Sequence, residues 1–422
     1  MKFPRKRLDN CVRTVISMFF IFSTAIVFNA SWASSDAVDV KNFAQLKKAV
    51  EDNKFKIEIV GGSDMKFSET IAIKRRNIGI SGSGLGMVKF DGRNSSGFFD
   101  FDPGAEGIAI RNIEFANGKF EDERGIDARK ASGGAFIIGA GASITLENTK
   151  FSGNVAIGSS GGAITSAKSS ALIFRGRTNF DGNESKEGSG GAVYATGSSS
   201  LAFGEEVIFR NNKSSKAGGA VYSDRNSILL FKEEADFYDN KSGEVGGAIF
   251  ANDSSSLTFE KETVFNDNKS CMGGAIYSQG NNILVFREKV TFRANDSSGK
   301  GGAIFAGTSG DINFSYGLGL VENTTGSKDG ASGAIHMAGK GDSYIIKINI
   351  AQKDPFMSTV FRGNMSGDRC VAVYMEKYSA LNFFLEEGDV NIFDAIEGDR
   401  TENSNTVTIE GSGGQFNLRE EG

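Results

Sequence analysis

Apolar residues recur along this chain in pairs two positions apart, and the pairs themselves recur at a nearly fixed interval. The clearest marker of the interval is Gly-Gly-Ala followed by an apolar residue. It stands at Gly133-Gly134-Ala135-Phe136, Gly161-Gly162-Ala163-Ile164, Gly190-Gly191-Ala192-Val193, Gly218-Gly219-Ala220-Val221 and Gly246-Gly247-Ala248-Ile249. Gly273-Gly274-Ala275-Ile276 and Gly301-Gly302-Ala303-Ile304 follow, and the motif then degenerates to Ser332-Gly333-Ala334-Ile335. The alanines are separated by 28, 29, 28, 28, 27, 28 and 31 residues. Nine residues after each alanine comes an apolar pair with the period of a β-strand: Ile144/Leu146, Leu172/Phe174, Leu201/Phe203, Leu229/Phe231, Leu257/Phe259, Leu284/Phe286 and Ile312/Phe314. A third track is Phe-x-x-Asn, at Phe151/Asn154, Phe180/Asn183, Phe209/Asn212, Phe237/Asn240, Phe265/Asn268, Phe292/Asn295 and Phe361/Asn364, with Leu320/Asn323 as an aliphatic version.

Each unit therefore holds three short strand-like segments separated by polar turns, with no helical period between them. A unit of this size cannot bury its own apolar face, so successive units must stack. The expected fold is all-β: a right-handed parallel β-helix, a solenoid of the pectin-lyase-like kind, with three short strands per coil of about 28 residues. Inward Ala, Ile, Leu and Phe would sit on the same residue one coil along, about 4.8 Å away. The glycine pairs would serve tight turns or close backbone approach. Successive Asn side chains would bond to one another along the turn.

Upstream, Asn42 to Val50 carries apolar residues at helical spacing and is expected to cap the first coil. Irregular coils follow, with strands at Ile71–Ile73, Ile78–Ile80, Val88–Phe90, Ile108–Ile110 and Ile113–Phe115. Downstream, Val371–Tyr374 and Leu381/Phe383 continue the stack, which Val407–Ile409 and Gln415–Leu418 finish. Residues 1–33 read as a secretory leader: Lys2, Arg5, Lys6, Arg7 and Arg13 precede an apolar run from Thr14 to Val27, and Ser31-Trp32-Ala33 supplies the cleavage site. The expected divisions are 1–33 signal peptide, 34–114 N-terminal cap and irregular coils, 115–389 regular repeats and 390–422 the end of the solenoid.

Composition removes several kinds of chemistry. The 422 residues include 1 His, 3 Cys, 3 Pro and 55 Gly. A lone His336 rules out a multi-histidine metal site and leaves one conceivable Ser-His-Asp arrangement. Without the leader the net charge is about −9, so nucleic acid is not an expected partner. Calcium-binding nonapeptides are absent from the sequence, and no metal or cofactor is expected. Cys271 and Cys370 precede alanines three coils apart, about 14 Å along the axis, which exceeds the reach of a disulfide. Both are expected to be free.

In pairing Gly-Gly-Ala-Ile with Phe-x-x-Asn the sequence resembles the polymorphic outer-membrane proteins first known from chlamydiae, whose passenger domains repeat the same two tetrapeptides. The resemblance spans about residues 115 to 365, and Val390 to Asp399 is similar to the segment closing the repeat region in such passengers. It implies an exported β-helix at the cell surface or outer membrane, or secreted, that acts in adhesion, with a host-cell or surface receptor or a glycan as partner. Autotransporters end in a membrane β-barrel, whereas 24 residues follow Gly398, too few for one. The expectation is either a truncated or barrel-less member released from the cell, or one held at the surface by other means.

The enzymatic alternative is a polysaccharide lyase or glycoside hydrolase on the same scaffold. Acidic residues do recur after the second strand, at Glu205-Glu206, Glu233-Glu234, Glu260/Glu262 and Glu288, but Lys232, Lys261, Arg287 and Lys289 interleave with them. Such turns read as a solvated face with weak ion pairs rather than as opposed catalytic carboxylates. His336 is expected at the surface, and Ser81-Gly82-Ser83-Gly84 as a turn. Between Ala334 and Phe361 the separation is 27 residues where regular coils have 17, so about ten are expected to leave the stack within Lys340 to Ser358. That segment and the charged insertion from Gly118 to Lys130 are the candidate recognition loops. The function expected is non-enzymatic.

Overall fold

A computed structural model describes residues 37–61, 64–74, 77–84, 86–121, 132–327, 332–339, 346–352, 359–377, 379–385, 389–398, 406–411 and 415–418. The leader, residues 122–130 of the charged insertion, 340–345 and 353–358 lie outside them.

The chain forms a parallel β-solenoid of about eleven turns with a spacing of about 28 residues. The coil beginning at Ala192 shows how the sequence builds it. Val193–Thr196 follows the glycine pair, Ser200–Phe203 carries the Leu-x-Phe pair, and Val207–Arg210 carries the phenylalanine of Phe-x-x-Asn. Each alternates inward and outward, and each pairs in parallel with its counterpart in the next coil: Val193 with Val221, Leu201 with Leu229, Phe209 with Phe237. A fourth strand of two residues, Lys213–Ser214, follows the ladder asparagine and makes a further parallel ladder. In three earlier coils the second and third strands fuse, as in Ala171–Asp181.

Two columns of phenylalanine run through the core beside the buried Ala, Ile, Val and Leu of the same strands. Phe151, Phe180, Phe209, Phe237, Phe265 and Phe292 stack with centroids 4.7 to 5.0 Å apart. Phe174, Phe203, Phe231, Phe259, Phe286 and Phe314 do the same at 4.5 to 5.1 Å. The columns meet edge to face, as between Phe231 and Phe237 at 6.0 Å and 76°. Burying one such ring stabilises the coil by roughly 1.5–3 kcal/mol.

The helix Phe43–Glu51 is capped by the Asn42 side chain, which accepts from the Gln45 amide at 3.0 Å. It buries Leu46, Ala49 and Val50 against the core and sets Phe43 edge-on to Phe67. A strand precedes it: Val38–Val40 pairs with Lys56–Ile59. These two strands, with Met65–Lys66 and Phe99–Phe101, were not among those expected. Ser81 and Gly82 lie in the strand Gly79–Gly82 rather than in a turn. A methyl group on Gly82 would stand 2.4 Å from the Asn112 carbonyl oxygen, so the glycine serves backbone approach.

A larger correction concerns Lys340 to Ser358, which is not a single insertion. Ile346–Gln352 is a strand in the stack, with Ile346, Ile348 and Ile350 buried and paired to Gly310, Ile312 and Phe314. Ile348 falls 14 residues after Ala334 instead of 9, and Phe361 follows Ile350 by 11 instead of 6. Five extra residues thus precede this strand and five follow it.

The second glycine of each pair sets how thin the coil is. A methyl group on Gly219 would lie 2.0 Å from the Gly247 carbonyl oxygen and 2.6 Å from the Lys241 carbonyl carbon. Gly219→Ala is expected to lower stability by about 2–3 kcal/mol in chemical denaturation, the cost of forcing a methyl into packed backbone. Gly182→Ala, with nothing within 4 Å but a φ of +64°, is expected to cost roughly 1 kcal/mol. Equal effects at the two sites would show that the close approach is not limiting.

Candidate functional site: the asparagine ladder and the outward columns

Asn154, Asn183, Asn212, Asn240, Asn268, Asn295, Asn323 and Asn364 have no solvent exposure. A buried primary amide must place two donors and one twofold acceptor, and here the neighbouring coils supply all of them. Asn240 Oδ1 accepts from the backbone N–H of Asn212 at 3.1 Å and from its Nδ2 at 3.0 Å. Asn240 Nδ2 donates to the Phe209 carbonyl at 3.0 Å and to Asn268 Oδ1 at 3.0 Å. The pattern runs from Gly118, whose N–H donates to Asn154 Oδ1, to Asp394. Asp394 closes it by accepting from the Gly363 and Asn364 backbone N–H groups and from Asn364 Nδ2.

The motif residues singled out in the sequence thus face the interior. Phe180, Phe209, Phe237, Phe265 and Phe292 are fully buried, as are Ala163, Ala192, Ala220, Ala248, Ala275 and Ile164. The first glycine of each pair, from Gly161 and Gly190 through Gly218, Gly246 and Gly273, has a positive φ between 63° and 78°. The second, Gly162, Gly191, Gly219, Gly247 and Gly274, meets the backbone of the next coil. What the protein presents to solvent is therefore the set of columns between these residues.

The most distinct outward column escaped the sequence reading. From Ala192 onward, the second residue after each repeat alanine is Tyr194, Tyr222, Phe250, Tyr277, Phe305, His336 and Tyr374 in successive coils. Their rings stack from Tyr194–Tyr222 at 4.6 Å to His336–Tyr374 at 5.4 Å. Ala217, Val245 and Met272 pack along the column. Burial pushes the Tyr194, Tyr222 and Tyr277 hydroxyls to higher pKa. The recurring position was the available signal.

His336 belongs to this column, and the expectation of a surface histidine is corrected: it is fully buried, stacked between Phe305 and Tyr374. The 28-residue period delivers an imidazole where other coils place a phenol or phenyl ring. Its Nε2 lies 2.9 Å from Glu376 Oε1, which also receives Lys300 Nζ at 2.6 Å. The hydrogen bond from His336 outweighs the desolvation of Glu376 and, with Lys300, draws its carboxyl down to about 2.

The charged turns form short ion pairs across coils, such as Arg177 with Glu206 at 2.5 Å and Lys289 with Glu262 at 3.8 Å. Asp236, half-buried beside Glu234, is held above its ordinary value by desolvation. Among the described residues no group of three or more His, Cys, Asp or Glu side chains is arranged to hold a metal ion. Cys271 and Cys370 are free and exposed, as their coil positions required.

The sequence model of the Chlamydia polymorphic membrane protein repeat matches residues 206–224 and 262–279. The chain carries that repeat. Each match holds one Phe-x-x-Asn, the short strand and one Gly-Gly-Ala with the strand after it, so the polymorphic membrane protein repeat is the part of the coil from ladder asparagine to aromatic column. The Leu-x-Phe strand lies outside both matches. No curated protein and no solved structure among those compared matches the chain.

Asn240→Ala deprives Asn212 of its acceptor and Phe209 of a donor, three buried groups in all. The expected loss is roughly 3 kcal/mol or more, read by denaturation, since each unpaired group costs about 1–3 kcal/mol. A second expectation concerns acid. A carboxyl lowered from 4.5 to about 2 contributes stability that is complete above pH 4.5 and lost as pH falls toward 2. Glu376→Gln is therefore expected to be less stable than wild type at pH 6, with the difference shrinking between pH 5 and pH 2. A constant difference would show that the carboxylate is not the group responsible.

Proposed function

We propose that the protein is an exported, surface-associated β-solenoid that acts without catalysis, as an adhesin or as a structural component of the cell surface. One observation carries this reading. Repeats of a membrane-protein family form a stack whose Gly-Gly-Ala and Phe-x-x-Asn residues are spent on the interior, leaving the outward positions to differ more from coil to coil. Such a stack is a rigid rod that displays variable columns and turns. The partner is a host-cell or surface receptor or a glycan, and the place of action is the outer membrane, the surface or the medium beyond it.

The mixed signs of the outward charges favour a contact face over a catalytic groove, because neighbouring coils neutralise one another instead of converging on a bond to be broken. Only Tyr194, Tyr222 and Tyr374 of the aromatic column reach solvent, Phe250, Tyr277, Phe305 and His336 being buried, and the column offers ring edges and hydroxyls more than ring faces, since neighbouring rings stack on one another. A glycan partner would then be met by hydrogen bonds rather than by stacking.

The test is a binding curve of residues 34–422 on intact host cells, with a β-helix of similar charge as control. Saturable binding above the control is expected, reduced at least about tenfold by deleting the recognition segment, which is tested at 122–130 and at 340–345 with 353–358. Binding no better than the control, together with turnover of a polysaccharide, would replace this reading with the enzymatic one.

A further inference from the structure

From Asn183 to Asn364 every rung of the ladder opens an Asn-x-Ser/Thr triplet, from Asn183-Glu184-Ser185 through Asn240-Lys241-Ser242 to Asn364-Met365-Ser366. This is the acceptor triplet of N-linked glycosylation, which ordinarily marks a surface loop. Here packing dictates it. The first position must be the ladder amide, the second points outward, and the third turns inward in the short strand after the asparagine. Ser185, Ser214, Ser242, Ser297 and Ser366 are accordingly buried.

We infer that ladder formation and N-glycan attachment compete for the same amide nitrogen, so that the chain folds only where no oligosaccharyltransferase meets it before its coils close. The transfer forms a bond from Asn Nδ2 to the anomeric carbon of the sugar. It breaks that carbon's bond to the lipid diphosphate oxygen, and one amide proton is given up. The modified nitrogen retains one N–H where the ladder uses two, as at Asn183, which donates to the Phe151 carbonyl at 3.0 Å and to Asn212 Oδ1 at 2.9 Å. The sugar would also occupy a site with no solvent exposure. Once the coils have closed, the same burial shields the ladder from the transferase. Asn94, in Asn94-Ser95-Ser96, stands outside the ladder on an exposed turn and is not subject to this exclusion.

The test is to send residues 34–422 through the secretory pathway of mammalian cells and, in parallel, to make them in bacteria without the transferase. Glycan occupancy is read by peptide mass and folding by protease resistance. The secretory product is expected to carry glycans on ladder asparagines and to be protease-sensitive. Blocking synthesis of the lipid-linked donor is expected to raise the resistant fraction at least about fivefold. So is replacing the third-position Ser and Thr residues by Ala; the hydroxyls of Ser214, Ser242, Ser297 and Ser366 make no hydrogen bond among the described residues, so their removal leaves nothing unpaired there. Folded bacterial protein treated with transferase and donor is expected to remain unmodified along the ladder, and the urea-unfolded chain to be modified. Glycans on ladder asparagines of protease-resistant molecules would overturn the inference. So would a resistant fraction that ignores the donor block.

Discussion

A primary amide sealed from water is tolerable only when both its N–H groups and both lone pairs are matched. In this protein the matching partner of each ladder asparagine is its own copy one coil away. That requirement fixes the phase of each coil at the asparagine, whatever the length of chain between rungs. The regular repeats meet it at an interval of 27 to 29 residues. Longer coils meet it too. Asn323 and Asn364 are 41 residues apart yet bond at 2.9 Å, because the added residues fall between the paired strands. Where one extra residue falls inside a paired strand, as between Ala171 and Asp181, the register shifts and the ladder still closes.

The end of the ladder obeys the same accounting. An asparagine at the rung of Asp394 would need a further acceptor for its forward side-chain N–H. Asp394 has no N–H to satisfy, and its two oxygens take three donors from the preceding coil. Within the stack the other motif residues divide the work. Phenylalanine supplies area and ring-on-ring contact. The first glycine supplies a positive φ, and the second lets the backbone of the short strand lie directly beneath the turn.

What the sequence revealed is what repeats. Periodicity exposed the inward residues, the three longer strands, the ladder and the separation of the two cysteines, because each is imposed afresh in every coil. The opening coils were only partly legible, since Val38–Val40 and Phe99–Phe101 are three-residue strands without a repeat to announce them. Lys213–Ser214 and its equivalents are too short to show alternation. The strand Ile346–Gln352 is hidden from a count made only from alanine to phenylalanine, because the ten extra residues fall on both sides of it. His336 was misplaced for a different reason. Histidine is commonly exposed, but its position two residues after a repeat alanine belongs to a column that every other coil from Tyr194 to Tyr374 fills with an aromatic ring.

That column also shows how the stack is held where it is least regular. Between Ala303 and Ala372 the coil spacing rises to 31 and then 38 residues. Across this stretch Lys300 and Glu376, on the outer face of coils two rungs apart, form a 2.6 Å ion pair, with His336 of the rung between them bonded to the same carboxylate. A half-buried, hydrogen-bonded carboxylate of this kind contributes more than the exposed pairs elsewhere on the solenoid. The described strands that flank the added length are thus stapled on their outside as well as laddered on their inside. The reinforcement falls at the rungs where the coil spacing departs most from the regular 28 residues.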